Sequence, residues 1–223
     1  MIAIDEIIRT KRKSIALIVQ RDGSLTVRAP LRASEKDINR IVEKKAEWIK
    51  AKQKLVKSVY PVAKPKEFVN GEGFWYLGKI HRLSIVDDEI LLLNLNGNFY
   101  ISRTNLPTAE AIFTKWYRKQ AEQIISERVQ WYAAKHGFDY SQVKITSART
   151  RWGSCNSKGI LCFTWRLVMA PVPVIDYVAV HELLHTQVKN HSRVYWSKLR
   201  LILPDYKQRI EWLEINGHLL NLD

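Results

Sequence analysis

His181-Glu182-Leu183-Leu184-His185, with His191 six residues further on, is the most informative stretch of the sequence. In a helix, residues four apart lie roughly 40° from each other, one turn along the same face. The imidazoles of His181 and His185 can therefore bind one Zn²⁺, an ion that suits nitrogen ligands. Glu182 projects from the neighbouring position, where it can take a proton from a metal-bound water without binding the metal. The stretch predicts a zinc-dependent hydrolase with Glu182 as its catalytic base.

A catalytic zinc ion needs three protein ligands and an open fourth position, so the site requires one more ligand. His191 is the predicted third ligand. On a continuing helix it would lie roughly 240° around the axis from His185, so the chain must leave the helix between them. Asn190 permits that departure, because Asn tolerates a left-handed backbone conformation. Glu211 or Glu214 is the competing third ligand.

Further motifs around these residues carry a family resemblance. In chain order they are Arg151-Trp152-Gly153-Ser154-Cys155, Leu167…Pro171, Tyr177-Val178-Ala179-Val180, Asn190-His191-Ser192 and Tyr195-Trp196. With the central motif, this set resembles the YgjP-like metal-dependent hydrolases, a group similar to SprT-like and other small gluzincin-type metallopeptidases. The resemblance covers the C-terminal half closely and the first half in outline. It implies zinc bound by His181, His185 and His191, a catalytic Glu182, and a helix-backed sheet whose edge strand can hold an extended peptide.

The pattern of elements predicts an α+β fold whose first part, residues 1–106, is a β-rich N-terminal module with one helix. Asp22-Gly23 lies between two β-rich runs and is typical of a hairpin. Ser34-Glu35-Lys36-Asp37 resembles a capping box, which would begin the helix and let it run to about Val56. The apolar runs from Phe68 to Ser102, separated by glycine-containing turns, predict further strands.

Residues 107–223 are predicted to form a zincin-like metallopeptidase domain built around the H-E-x-x-H helix. Thr108 can cap a long helix that runs to about Lys135, and Gly137 can end it. The alternating run Ile160–Arg166 is the candidate edge strand for a substrate peptide. An ordinary interior strand is its alternative.

Two arginines and two cysteines lie near the motif in the sequence. A guanidinium of Arg149 or Arg151 close to the metal can stabilise the oxyanion of a tetrahedral intermediate, or hold a substrate carboxylate or phosphate. Bonding to loop carbonyls is the structural alternative for both. Cys155 and Cys162 lack the spacing of a structural zinc site, so they are predicted to be buried reduced thiols.

Charge is the unusual bulk property, since 36 Lys and Arg stand against 22 Asp and Glu, a formal net charge of +14. Such an excess favours anionic partners, including nucleic acid, although the basic residues form no single dense tract and can also be a solvated surface. The sequence contains no run that is long and apolar enough for a membrane span. The N-terminus does not resemble a secretion signal, and two cysteines do not make a disulfide framework, so a cytoplasmic location is expected.

The predicted function is therefore that of a zinc metallopeptidase acting on peptide or protein substrates. One alternative keeps the metal but hydrolyses nucleotides or other phosphate esters, although the chain has no P-loop. Another is a DNA-associated protease of the SprT-like kind, suggested by the resemblance and the charge. A third is a non-enzyme with a structural zinc, against which the presence of Glu182 argues.

Overall fold

The computed structural model describes residues 2–12, 14–20, 23–59 and 65–222. The chain divides into two compact units, Met1–Ala63 and Lys64–Asp223. Within the described residues, no helix combines the length and the apolar character that crossing a bilayer requires.

The first unit contains a three-stranded sheet and two helices. Its elements are β1 (Glu6–Thr10), β2 (Ala16–Val19), β3 (Leu25–Pro30), α1 (Glu35–Lys44) and α2 (Ala46–Val59). Strand β3 is central, parallel to β1 and antiparallel to β2. The antiparallel pair agrees with the predicted hairpin, while Arg21 and Asp22 of its turn lie outside the described residues. The core of the unit comes from β3 and both helices: Leu25, Val27, Ala29, Ile38, Val42 and Ile49.

The helical part of this unit begins as the sequence predicts but is interrupted once. The Ser34 hydroxyl accepts a hydrogen bond from the Asp37 amide at 3.1 Å, which satisfies a free N–H of the first turn. The prediction of one continuous helix was wrong, because Lys45 leaves helical geometry at φ −106° and ψ 14°. Helical hydrogen bonding continues on both sides of it, from the Lys45 amide to Ile41 and from the Ile49 amide to Lys45.

The second unit contains two sheets and four longer helices. Its elements are β4 (Gly73–Tyr76), β5 (Lys79–Val86), β6 (Leu93–Leu95), β7 (Asn98–Ser102), α3 (Ala109–His136), β8 (Gln142–Thr146), β9 (Gly153–Cys155), β10 (Ile160–Thr164), α4 (Val172–Gln187), α5 (Arg193–Ile202) and α6 (Tyr206–Asn216). One sheet has the order β4-β5-β7-β6, and the other has the order β8-β10-β9. In the second sheet β8 is parallel to β10 and β9 is antiparallel to it.

The division between the units differs from the predicted boundary at 106–107. The strands after residue 64 belong with α3, because the aromatic side chains of their sheet pack directly on that helix. The Phe74 and Phe113 rings stack with centroids 4.4 Å apart, and Phe99 contacts Phe113 at 5.1 Å. The predicted β-rich module is therefore split, and its second half shares one hydrophobic core with the rest of the second unit.

The long helix α3 closely matches its prediction and ties the second unit together. It ends at Gly137, whose φ of 67° is in the left-handed region that glycine adopts without strain. Thr108 precedes it but makes no side-chain capping hydrogen bond. Midway along, Arg128 forms a bidentate ion pair with Asp176 of α4, with N–O distances of 2.5 and 2.9 Å. This pair joins α3 to the helix that carries the histidine motif.

Candidate metal centre

Helix α4 carries the H-E-x-x-H residues, and its sequence explains where it begins and ends. Pro173 lies in its first turn, where the missing amide proton costs nothing. The middle of the helix is apolar and buried on all sides, as expected of a helix inside the core. It ends at Val188, which has an extended backbone with φ −127° and ψ 104°. The chain therefore leaves the helix before His191, as the argument for a third ligand requires.

The imidazoles of His181, His185 and His191 converge near the C-terminal end of α4. The Nε2 atom of His191 lies 3.1 Å from Nε2 of His185 and 3.2 Å from Nε2 of His181. The ligand atoms of the three residues all lie within 4.8 Å of one another. Zinc–nitrogen bonds of ~2.0–2.1 Å in a tetrahedral site separate the nitrogens by roughly 3.3 Å, so the spacing fits one such ion. Neither Glu211 nor Glu214 belongs to this cluster.

The outer ring nitrogens of two histidines have partners that orient the rings. Nδ1 of His185 lies 3.0 Å from the Val188 carbonyl oxygen, to which it can donate a hydrogen bond. Nδ1 of His181 lies 3.4 Å from the Tyr177 hydroxyl. When Nδ1 carries the proton, Nε2 offers its lone pair to the centre of the cluster. For His185 the carbonyl contact therefore favours the tautomer that a metal ligand needs, whereas the Tyr177 hydroxyl can either donate to Nδ1 of His181 or accept from it.

Tyr195 packs against the histidine cluster, a role that was not predicted from the sequence. It is fully buried, and its hydroxyl donates to the backbone carbonyl of His181 at 3.2 Å. Its ring stacks on His185 at 5.0 Å and meets His191 edge-on at 4.7 Å. Trp196 stacks on the other side of His191 at 5.6 Å. Tyr177 also contacts the cluster, and its position four residues before His181 on the same helix could have predicted that contact.

Burial keeps two of the imidazoles uncharged. Burial, together with the neighbouring His185 and His191, lowers the pKa of His181 to about 3. Burial and His185 also lower the pKa of His191. A neutral imidazole is the form that binds a cation, so the cluster is ready to bind a metal near neutral pH.

Glu182 lies beside this cluster and is pressed against strand β9. Glu182 is 5% exposed. Burial raises the pKa of its carboxyl group to about 7, although the positive charge of Arg151 partly opposes this rise. A Cβ atom on Gly153 would lie 2.6 Å from its Oε1 atom. A carboxyl group with a pKa near 7 can both accept and return a proton under physiological conditions.

The two predicted arginines lie differently relative to the carboxylate. Both are exposed, and Arg151 is the one whose charge acts on Glu182. Arg149 acts instead on Arg166, whose pKa is lowered first by burial and then by that neighbouring charge. Of the two, Arg151 is therefore the arginine whose charge reaches the Glu182 carboxyl group.

The edge strand next to Glu182 is β9, not the strand that the sequence suggested. Ile160–Arg166 was the candidate edge, but β10 lies between β8 and β9 and is interior. The run also ends as a strand at Thr164, after which the chain enters a short 3-10 helix. The two cysteines on these strands are free, as predicted, but both are half-buried and not buried. In the β9–β10 register, Cys155 lies opposite Leu161 and Cys162 lies opposite Ser154.

Comparison with known proteins places the chain in one family. Residues 13–216 match the family described as YgjP-like, metallopeptidase domain. No curated protein matches the chain at a significant level. The match spans both units and includes the histidine cluster, Glu182 and the β9 edge. The chain belongs to the YgjP-like family of metallopeptidase domains.

Proposed function

We propose that this protein is a zinc metallopeptidase in which His181, His185 and His191 bind the metal and Glu182 is the catalytic base. The observation that carries the proposal is the convergence of the three Nε2 atoms, two pairs of which are 3.1 and 3.2 Å apart, beside a buried carboxyl group. Family membership supports a metal-dependent peptidase. A bound Zn²⁺ supplies Lewis-acid chemistry, which makes a nearby water more acidic and polarises a carbonyl.

Glu182 moves the proton in this reaction. It accepts a proton from the attacking water at its carboxylate and then returns it to the leaving amine. A pKa of about 7 suits both steps, because the carboxyl group is neither a very weak base nor a very weak acid at physiological pH. The contact with Gly153 restricts the carboxylate, since Oε1 has almost no space on that side.

The peptide substrate binds along β9 in an extended conformation. Within its sheet β9 has one neighbour, so its other side offers backbone groups for β-augmentation. Because Gly153 on this strand touches Glu182, a peptide paired there lies next to the catalytic carboxylate. Arg151 then stabilises the developing oxyanion or holds a carboxylate of the substrate.

The Glu182→Gln variant tests the catalytic role. It keeps the size of the side chain but removes the base, so we expect peptide cleavage to fall by about 10²–10⁴-fold while zinc content stays the same. Glu211→Gln, which changes an exposed glutamate outside the cluster, is the matched control and should cleave at the wild-type rate. A Glu182→Gln protein that cleaves unstructured peptides normally would contradict the assignment.

Phosphate-ester hydrolysis at the same site is the second candidate, favoured by the exposed cationic Arg151 near Glu182. Parallel assays of the zinc-loaded protein with unstructured peptides and with nucleoside triphosphates distinguish the two substrates. A DNA-associated protease would show peptide cleavage that increases when DNA is added. Peptide cleavage that is independent of DNA, with no turnover of nucleotides, is the result we expect.

A further inference from the structure

The first unit has a charge that the metal centre does not explain. Residues 1–63 contain 15 Lys and Arg against 7 Asp and Glu, so they supply +8 of the chain's net charge of +14. The predicted peptidase chemistry lies entirely in the second unit. The positive charge of this small unit is therefore separate from the predicted peptidase chemistry.

Basic and aromatic side chains recur at a fixed spacing along helices α1 and α2. Arg40, Lys44, Trp48 and Lys52 follow one another at intervals of four residues, which places them on successive turns. All four are exposed. Helical hydrogen bonds reach Lys45 from both sides, although Lys45 itself leaves helical geometry between α1 and α2. We call these four residues the basic row.

Trp48 lies exposed in the middle of the basic row. Trp48 is 48% exposed, and among the described residues no aromatic ring or cation lies against its indole. Lys44 and Lys52 form no ion pair with any residue that the structure describes. Arg40 forms an ion pair with Asp37 at 2.8 Å. The row therefore presents two unpaired ammonium groups on either side of an open aromatic face.

We infer that the basic row binds single-stranded nucleic acid, with the lysines on backbone phosphates and Trp48 stacked on a base. Positive charge along a row attracts phosphates, and every base offers a face for stacking. A single strand fits better than a duplex, whose bases are already stacked on one another. This inference is independent of the proposed peptidase function, because it concerns residues of the first unit alone.

An anionic membrane is the competing anionic partner, and the buried face of the helices argues against it. A helix that binds a membrane inserts an apolar face into the lipid. Here that face is already used, since Ile38, Val42 and Ile49 are 0–2% exposed in the core of the unit. Trp48 alone offers too little apolar surface for insertion.

The chain provides a matched control for the tryptophan. Trp131 on α3 is 45% exposed, close to the value for Trp48. Its ring is covered by cations, with Lys135 at 4.5 Å and Arg128 at 5.3 Å from the centroid. The two side chains differ in whether the ring is open to a base, so the pair isolates the stacking interaction.

Fluorescence anisotropy of the full-length protein with a labelled single strand of about 20 nucleotides tests the inference. Trp48→Ala and Trp48→Leu should each weaken binding roughly tenfold, whereas Trp48→Phe should retain most of the affinity because it keeps a ring. Trp131→Ala should have no effect. Thermal melts of each variant show that the exposed substitution leaves the fold intact.

Charge reversal tests the lysines. Lys44→Glu with Lys52→Glu should weaken binding at least tenfold, and raising the salt from about 50 to about 200 mM should weaken wild-type binding steeply. Lys144→Glu with Lys207→Glu makes the same change of net charge at exposed positions of the second unit and should leave binding unchanged. The inference is overturned if the single strand does not bind at about 50 mM salt, or if both double variants lose affinity equally. The inference is also overturned if the Trp48 variants bind the single strand as tightly as the wild type. The same holds if substitution of Trp48 weakens binding to anionic vesicles but not binding to the single strand.

Discussion

Gly153 on strand β9 lies so close to Glu182 on helix α4 that a Cβ atom at position 153 would be 2.6 Å from Oε1 and 2.7 Å from Cγ. Both atoms belong to the middle or end of a side chain that is 5% exposed, so the carboxylate has little room to move away. The glycine thus sets the position of the proposed base relative to the edge strand. The first prediction follows from this contact.

Gly153→Ala should inactivate the enzyme without removing its metal. The new methyl group displaces the Glu182 carboxylate, and a shift of about 1 Å at a catalytic group can cost about 10²-fold in rate. The overpacking should also lower the free energy of unfolding by about 1–3 kcal/mol. Steady-state kinetics, zinc content and thermal melts measure these three effects. Ser154→Ala, at the next position of the same strand, is the control and should cleave normally.

His191→Ala should abolish tight zinc binding but leave the fold intact. His191 is exposed, whereas the other two histidines are half-buried on α4, so its removal costs little packing. Zinc at about 100 times its dissociation constant should stabilise the wild type by about 2.7 kcal/mol, and this gain should disappear in the variant. Calorimetry with and without zinc provides the measurement.

Glu214→Gln distinguishes the two candidate third ligands. The cluster of ligand atoms does not include Glu214, so this variant should bind zinc with wild-type stoichiometry. Loss of zinc from Glu214→Gln, with retention in His191→Ala, would reverse the assignment of the third ligand.

The sequence predicted the features that depend on local spacing. The histidine cluster follows from the i, i+4 pair and the break before His191, and the caps at Ser34 and Gly137 follow from residue type. The boundary at 106–107 could not be placed correctly, because the stacking of Phe74 on Phe113 joins segments that are distant in the chain. Local patterns carry no signal for such a contact.

The identity of the edge strand was missed for a related reason. Alternation of apolar residues is the same in an edge strand and an interior strand when one face of the sheet is buried. Strand β10 became interior through its parallel pairing with β8, which begins about 18 residues earlier. That pairing depends on the path of the intervening residues 147–159, which include β9, and not on the pattern of either strand.

Arg128→Met should destabilise the second unit by about 3 kcal/mol. The substitution removes the bidentate cation from the Asp176 carboxylate, whose side chain is 9% exposed. The carboxylate then keeps the hydrogen bond from the Tyr132 hydroxyl at 3.2 Å but stays buried without a countercharge. Chemical denaturation measures the loss. Arg103→Met breaks an ion pair with Asp87 whose side chains are 66% and 84% exposed, so it should cost at most about 1 kcal/mol. Equal losses in the two variants would contradict the structural role of the buried pair.

The metal-free protein should become less stable as the pH rises, through Glu182. Burial raises the pKa of this carboxyl group from 4.5 to about 7 in the folded state, so between these values the folded protein binds more protons than the unfolded chain. The free energy of unfolding therefore falls as the pH rises through this window. Below pH 4.5 both states are protonated and the contribution is constant. Above about pH 7 the folded state carries the full cost of a buried charge, about 3 kcal/mol.

Glu182→Gln isolates this effect from the other titrating groups, because the difference between variant and wild type cancels their contributions. In the presence of a chelator, the variant should match the wild type near pH 4.5 and should exceed its stability progressively up to about pH 7. Denaturation midpoints across this range measure the difference. A difference that stays constant with pH would mean that the Glu182 carboxyl group titrates in the folded protein as it does in water, and that burial does not prepare it to exchange a proton.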